Sequence, residues 1–423
     1  MNRSSPSTAI ILVSWNSEKY IRNCLNSLAN QSVQDFDVVF VDNGSSDNSA
    51  ALAQKTGRSL FHDLMSLITL STNLGFCAGH NRGFDYAVKH KPYEFLVALN
   101  LDTTVDRQWF AHLRDSLRKD NSAAIATSNI QMYYPYKVLE IHASKPGIIE
   151  SIHTDINYKS LIYTYPQRDL RHILYNLSRV NLHYFKDKHK TGYASAFNNG
   201  AIVNEGAPYY QNHFFVGIPF RSSTTKVSLE LSDQNATIST LHEKVSVVQN
   251  MGGDFDKIFI GYVDRGLYVP VPYIGDLPLK KTDCACGCAM MLRTADYMTM
   301  GGFDETLFSY FEDIDISERY KQAGRGIILA KNAIVKHYLW SSSTDNAKIA
   351  KQKDKGISFR HYYGQRNRLV VIRRYHGKLM FFYAMARSLG NLFFAFLHAL
   401  LNPEQHSGVK AQTKGIIESL SLP

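Results

Sequence analysis

Over the first third of the chain, short apolar runs alternate with stretches whose apolar residues recur every three or four positions. Thr8–Ser14 is an apolar run of strand length, and residues 18–30 place Tyr20, Ile21, Cys24, Leu25 and Leu28 on one helical face. Residues 36–41, 67–70 and 95–99 read as further buried strands, and residues 79–90 and 108–118 as helices. This alternation predicts an α/β domain, a mainly parallel sheet with helices on both faces. From Tyr133 to Asp283 the pattern shortens. Val227, Leu229 and Leu231 alternate with polar residues, residues 244–249 and 257–263 are strand-like, and a helical patch falls near 170–180. The α/β style returns from Gly287 to Val335. The expected organisation is a discontinuous α/β domain (1–132 and 283–345), a β-rich insert (133–282) and a C-terminal helical region (346–423).

The longest apolar stretch, residues 379–401, has Arg387, Asn391 and His398 among its polar members. On a helix these three fall within about 40° of one another, a narrow polar stripe on a strongly apolar cylinder. That pattern fits a helix lying in a membrane interface. It also fits a helix packed on its own protein, whereas Arg387 near the middle argues against a span. Lys plus Arg total 47 and Asp plus Glu total 37, a net charge of +10. Residues 355–423 hold ten of the bases and two of the acids, so +8 of the +10 resides there. The basic balance thus points to an anionic membrane surface rather than to nucleic acid, for which the α/β part offers no basic aromatic platform. Five Cys and a five-residue apolar run after Thr8 suggest a reducing, cytoplasmic setting, so the sequons at Asn176 and Asn235 are not expected to carry glycans.

No Gly-x-Gly-x-x-Gly or Gly-x-x-x-x-Gly-Lys-[Ser/Thr] follows a strand, which removes the main support for dinucleotide oxidoreductases and P-loop NTPases. Instead Asn16, Asp42-Asn43-Gly44, Asn73-Leu74-Gly75 and Asn100-Leu101-Asp102 follow four successive strands, where α/β sheets bind ligands. Together with Gly79-His80-Asn81, Gly301-Gly302-Phe303-Asp304-Glu305, Phe311-Glu312-Asp313 and Val335-Lys336-His337, these motifs resemble glycosyltransferase family 2. Within it they look most similar to rhamnosyltransferase-like enzymes of bacterial surface-polysaccharide assembly. The resemblance covers residues 8–132 and 283–345 and leaves the insert out.

The resemblance implies a GT-A fold and an inverting transfer from a nucleotide-diphosphate sugar, dTDP-rhamnose or a UDP-sugar, to a lipid-linked or growing glycan. Asp42 is expected to hold the base, with Asn16, Asn43, Asn73, Gly79, Asn81 and Asn100 along the donor. A helix starting at Gly79 would offer its N-terminus to the diphosphate. Asn100-Leu101-Asp102 stands where the family has Asp-x-Asp, which leaves Asp102 as the firm ligand for Mg²⁺ or Mn²⁺, and His337 matches a late His that completes the site. Asp313 matches the general base and Glu312 its neighbour. Asp315 reads as the i,i+4 partner of Arg319, and Cys284, Cys286 and Cys288 read as small buried strand residues rather than zinc ligands. Arg366-Asn367-Arg368 could touch donor or acceptor phosphates, or form a solvated basic face. The insert, with Tyr209, Tyr210, Phe214, Phe215 and Phe220, is expected to shape acceptor choice or mediate self-association. The alternatives are a glycan- or nucleotide-binding protein on the same fold and a sugar-phosphate nucleotidyltransferase. The latter lacks its Gly-rich basic loop after the first strand.

Overall fold

The computed structural model describes residues 6–145, 147–154, 161–164, 194–198, 201–203, 209–210, 213–219, 227–231, 233–240, 244–257, 261–267, 269–274, 281–338, 348–401 and 406–422. The chain forms two compact units, one of residues 1–133, 250–265 and 278–423, the other of residues 134–249 and 266–277. Residues 250–265 and 278–282, expected in the insert, and the whole C-terminal region therefore belong to the first unit.

The first unit is built on strands β1 (Thr8–Ser14), β2 (Phe36–Asn43), β3 (Met65–Leu70), β4 (Phe95–Asn100), β5 (Thr103–Val105), β6 (Ala123–Met132), β7 (Ala289–Arg293) and β8 (Gly326–His337). They run in the order β3-β2-β1-β4-β7-β6-β8-β5. β1 pairs in parallel with β2 and β4, β2 with β3, and β6 with β8. β7 is antiparallel to both β4 and β6. The helices are α1 (Glu18–Ala29), α2 (Ser49–Phe61), α3 (Gly75–His90), α4 (Trp109–Lys119), α5 (Thr294–Met300), α6 (Glu312–Gln322), α7 (Lys348–Leu401) and α8 (His406–Glu418). This is the mixed α/β, mainly parallel, Rossmann-like arrangement of a GT-A fold.

Strand periodicity sorts the core into two layers. Ile10 and Leu12 of β1 face a cluster with Leu25 and Leu28 of α1, Phe61 of α2 and Trp109 of α4. Ala9 and Ile11 face the other way, onto Phe84 of α3, Tyr297 of α5 and Ile316 and Tyr320 of α6. Each fully buried Ile or Leu contributes about 1.5–3 kcal/mol, so the two layers fix the strand ends that carry the polar motifs. Cys288 and Cys24 lie within the first of these clusters, and burial pushes their thiols up from the ordinary range.

α7 is two arms joined at Gly377, whose φ of 82° and ψ of 170° a residue with Cβ adopts only under strain. The arms lie against each other. Gln365 Nε2 and Arg368 Nη2 reach Ser388 Oγ at 2.5 and 2.9 Å, and Leu369 and Ile372 pack with Phe381 and Ala384. Packing on its own protein is therefore one part of what residues 379–401 do. Leu379, Phe382, Tyr383, Leu389, Phe393, Phe396 and Leu400 nevertheless stay exposed on the opposite side. By length and composition alone the helix could cross a membrane.

The second unit is β-rich. Six strands run in the order Ala201–Val203, Ala194–Asn198, Leu161–Thr164, His213–Pro219, Tyr136–His142, Thr237–Thr240, and Gly147–Thr154 pairs with Tyr209–Tyr210 and Val227–Leu231. The helical patch expected near 170–180, the sequon at Asn176 and Phe220 lie outside the described residues.

Candidate active site

The loops after β1, β2 and β3 are tied to one another by the residues that the motifs single out. Asn16, held at a φ of 52°, accepts from Ser46 N at 2.8 Å through Oδ1 and donates its own N–H to Ser45 Oγ at 3.0 Å. Asn43 is buried and donates to Asn73 Oδ1 at 3.1 Å and Gly75 O at 2.9 Å, while its Oδ1 accepts from Leu74 N at 2.9 Å. Asn73 Oδ1 also accepts from Gly75 N at 2.9 Å. The amide of Asn43 and the Oδ1 of Asn73 are therefore spent on shaping the β3–α3 turn. Asp42 differs: its Oδ2 accepts from Ser45 N at 3.3 Å, but its buried Oδ1 has no hydrogen-bond partner. A buried carboxylate oxygen without a donor is costly and marks a place for a ligand N–H.

α3 begins at Gly75, one turn before the expected Gly79. Its first amides are partly taken, Gly75 N by Asn73 and Cys77 N by Phe308 O at 3.2 Å. Gly79 lies a turn inside the helix, and a Cβ there would come within 2.8 Å of Val13 Cγ1 and 3.2 Å of Asn43 Nδ2. A glycine there lets the helix pack closely on the sheet. Asn81 donates to Phe303 O at 2.8 Å and Glu305 Oε1 at 3.1 Å and accepts from Phe303 N at 3.0 Å. All of that amide is used to fix the 301–305 loop on α3, so Asn81 is not left free for the donor.

At the end of β4, Asn100 is half-buried, and Asp102 follows it. His337, the last residue of β8, places Nε2 3.2 Å from Asp102 Oδ1. Two ligands in neighbouring positions of an octahedral Mg²⁺ or Mn²⁺, each at about 2.0–2.2 Å, lie about 3 Å apart, so this pair fits such an ion. Among the described residues no group of three His, Cys, Asp or Glu side chains converges as a metal site. Such ions are commonly held by one or two protein ligands with substrate phosphates completing the shell.

Glu312 and Asp313 open α6. Asp313 Oδ2 accepts from Gly287 N at 2.9 Å and Oδ1 from Ile314 N at 2.9 Å, so the carboxylate is aimed by two backbone amides. Burial pushes the Asp313 carboxyl up, and those amides oppose the shift. Glu312 is buried with Oε2 unpartnered; burial, then the charge of Asp313, pushes its carboxyl well above the ordinary carboxylate range. Three of the four residues before Glu312 twist sharply: Phe308, Tyr310 and Phe311 have φ of 65°, 69° and 69°. Left-handed backbone at non-glycine residues costs about 1–3 kcal/mol each, so something outside the loop must hold it. Asp315 accepts from Arg374 Nη1 at 3.0 Å and Tyr375 OH at 2.8 Å, and lies 3.4 Å from Arg319 Nη2, a structural ionic cluster.

Local reading missed two participants and left the place of a third group, Arg366 and Asn367, open. Gly287 supplies its N–H from the turn before β7. Asp264, whose Oδ1 accepts from Asn250 Nδ2 at 2.7 Å, has a carboxyl that desolvation and then the charge of Asp313 push up. Arg366 and Asn367 are not a solvated basic face: both are buried against the loop that precedes Glu312.

The Glycosyl transferase family 2 sequence model matches residues 9–161. EpsH of Bacillus subtilis (strain 168), named as a glycosyltransferase, is 30% identical over 83 residues, 20% of this chain and 23% of that protein. Poly-beta-1,6-N-acetyl-D-glucosamine synthase of Staphylococcus epidermidis is 23% identical over 154 residues, 36% of this chain and 33% of that protein. The chain thus matches only a quarter to a third of the length of these curated relatives. Among solved structures, S. aureus TarS 1-349 in complex with UDP is 24% identical over 29% of this chain and 35% of its own, with a TM-score of 0.26. Over residues 9–161, which carry β1 to β6, the chain matches glycosyltransferase family 2.

Proposed function

We propose that the protein is an inverting glycosyltransferase that moves a sugar from a nucleotide-diphosphate donor, dTDP-rhamnose or a UDP-sugar, to a lipid-linked or growing surface glycan. One observation carries the reading: Asp313 is aimed by two backbone amides and raised by burial beside the acidic Glu312. A general base needs a fixed direction and an affinity for protons nearer the working pH than a free carboxylate has. Asp313 takes the acceptor hydroxyl's proton as that oxygen attacks the anomeric carbon in line. The bond to the diphosphate breaks on the opposite side, and the nucleoside diphosphate leaves with the electron pair.

The unpartnered Asp42 Oδ1 accepts a base N–H, Asn16 and Asn100 line the donor, and Asn43, Asn73 and Asn81 hold the loops that shape its bed. Asp102 and His337 would hold a divalent cation, whose chemistry is to neutralise charge on the leaving diphosphate. The insert shapes acceptor choice or self-association. The exposed apolar side of α7 is read as resting on the inner face of a membrane, where a lipid-carried acceptor is found.

The test is Asp313→Asn, assayed by release of UDP or dTDP across a donor panel. Transfer should fall by about 10²–10⁴-fold while nucleotide binding persists. Turnover within a few fold of the unsubstituted protein rejects Asp313 as the base.

A further inference from the structure

We propose that Asn367, oriented by Arg366, is the positioning residue that holds the loop before Glu312 in its catalytic shape. The inference rests on the reading of Asp313 as general base.

Asn367 Nδ2 lies within hydrogen-bond distance of three carbonyls of one loop, which share its two hydrogens: Leu307 O at 2.9 Å, Ser309 O at 2.9 Å and Tyr310 O at 2.7 Å. The fourth carbonyl of that run, Phe308 O, accepts from Cys77 N on α3. Arg366 Nη2 takes the preceding one, Thr306 O, at 2.7 Å, and shares Leu307 O at 3.1 Å. Every carbonyl from Thr306 to Tyr310 is thus satisfied from outside the loop, and the loop winds around one amide nitrogen. The twisted residues Phe308 and Tyr310 fall within that winding, and Phe311 follows it directly.

Arg366 decides which end of the Asn367 amide faces the loop. Its Nε donates to Asn367 Oδ1 at 2.8 Å, so the oxygen is taken and the NH₂ group turns to the carbonyls. The guanidinium is buried over the rings of Tyr362 and Tyr363, and Tyr362 OH bonds to Glu418 of α8. A buried cation spent on backbone carbonyls at a strained turn is a device for geometry. A misplacement of about 1 Å in a catalytic group costs about 10²-fold in rate.

Asn367→Asp keeps the shape and turns a carboxylate oxygen toward the carbonyls, so the loop should let go. In the full chain without ligand, hydrogen exchange of the amides of residues 306–313 should quicken by about tenfold or more while β1 and β4 stay unchanged. kcat should fall by about tenfold or more with the donor KM within about threefold. The acid limb of the kcat–pH profile should also move as the Glu312–Asp313 surroundings change. Phe311→Gly in the Asn367→Asp background should recover part of kcat, because glycine adopts the twisted backbone without the clamp. Unchanged exchange at 306–313, exchange raised uniformly over the sheet, or an unaltered kcat each overturns the proposal. If Asn367→Asp does not fold, Arg366→Lys, which loses the fork and keeps the charge, is read by the same criteria at smaller amplitude. Should Asp313→Asn retain turnover while Asn367→Asp still loosens residues 306–313, the base assignment falls and the clamp stands.

Discussion

The two arms of α7 reverse the usual distribution of polarity. The arm before Gly377 buries Arg366 and Asn367 and pairs Arg374 with Asp304 at 2.8 Å and Asp315 at 3.0 Å. The arm after it leaves Phe382, Phe393, Phe396 and Leu400 exposed. Buried polar groups persist only where they are fully bonded, and the first arm meets that condition by taking the backbone of the loop before Glu312. The exposed apolar face of the second arm is what the proposed membrane contact would use. The contrast also revises the meaning of the charge. Of the ten bases in residues 355–423, Arg366, Arg368, Arg373 and Arg374 are spent inside the fold on carbonyls, hydroxyls or acids. The membrane reading therefore rests more on the apolar face than on the charge that first suggested it.

The largest effect expected from breaking this contrast lies in the first arm. Arg374→Met leaves the buried Asp315 short of its strongest partner and should cost about 2–3 kcal/mol in urea unfolding. A loss below about 0.5 kcal/mol would mean that the cluster is ornamental. In the second arm the pair Phe393→Ser, Phe396→Ser should lower flotation with anionic vesicles by about tenfold or more. Unfolding should shift by no more than about 0.5 kcal/mol, and turnover on a short soluble acceptor should be unchanged. Equal flotation would leave that face to some other partner.

The smallest effect is a gain. The Glu312 carboxyl is raised in the fold, so ionising it opposes folding: the penalty is absent below the unfolded-state pKa and is fully present above the folded one. Glu312→Gln should therefore raise Tm by about 2–4 °C above neutral pH, on the order of 1 kcal/mol, and the gain should vanish near pH 4. A gain that persists in acid would locate the effect elsewhere.

Strand and helix positions were legible because periodicity is a local consequence of backbone geometry. Residues 18–30 were read as a helix, and α1 spans Glu18–Ala29. The polar strand ends were legible too, since Asn16, Asp42, Asn73 and Asn100 recur at the same edge. What each amide does there was not. Asn43, Asn73 and Asn81 carry the side chains of a ligand bed, yet their hydrogen bonds go to Leu74, Gly75 and Phe303. An amide serves a ligand and a loop with the same atoms, and spacing does not say which is nearer.

By itself, then, the sequence determined the α/β alternation, the two core layers and the family motifs, because these follow from local patterning and side-chain type. Only the tertiary structure decided that β7 enters the sheet antiparallel between β4 and β6. It also decided that the antiparallel pair Gly253–Asp256 and Gly261–Asp264 belongs with the first unit, and that Asn367 reaches carbonyls 57–60 residues earlier. The physical reason is shared: pairing partners and unsatisfied carbonyls far along the chain leave no trace in the residues that meet them until the chain has folded.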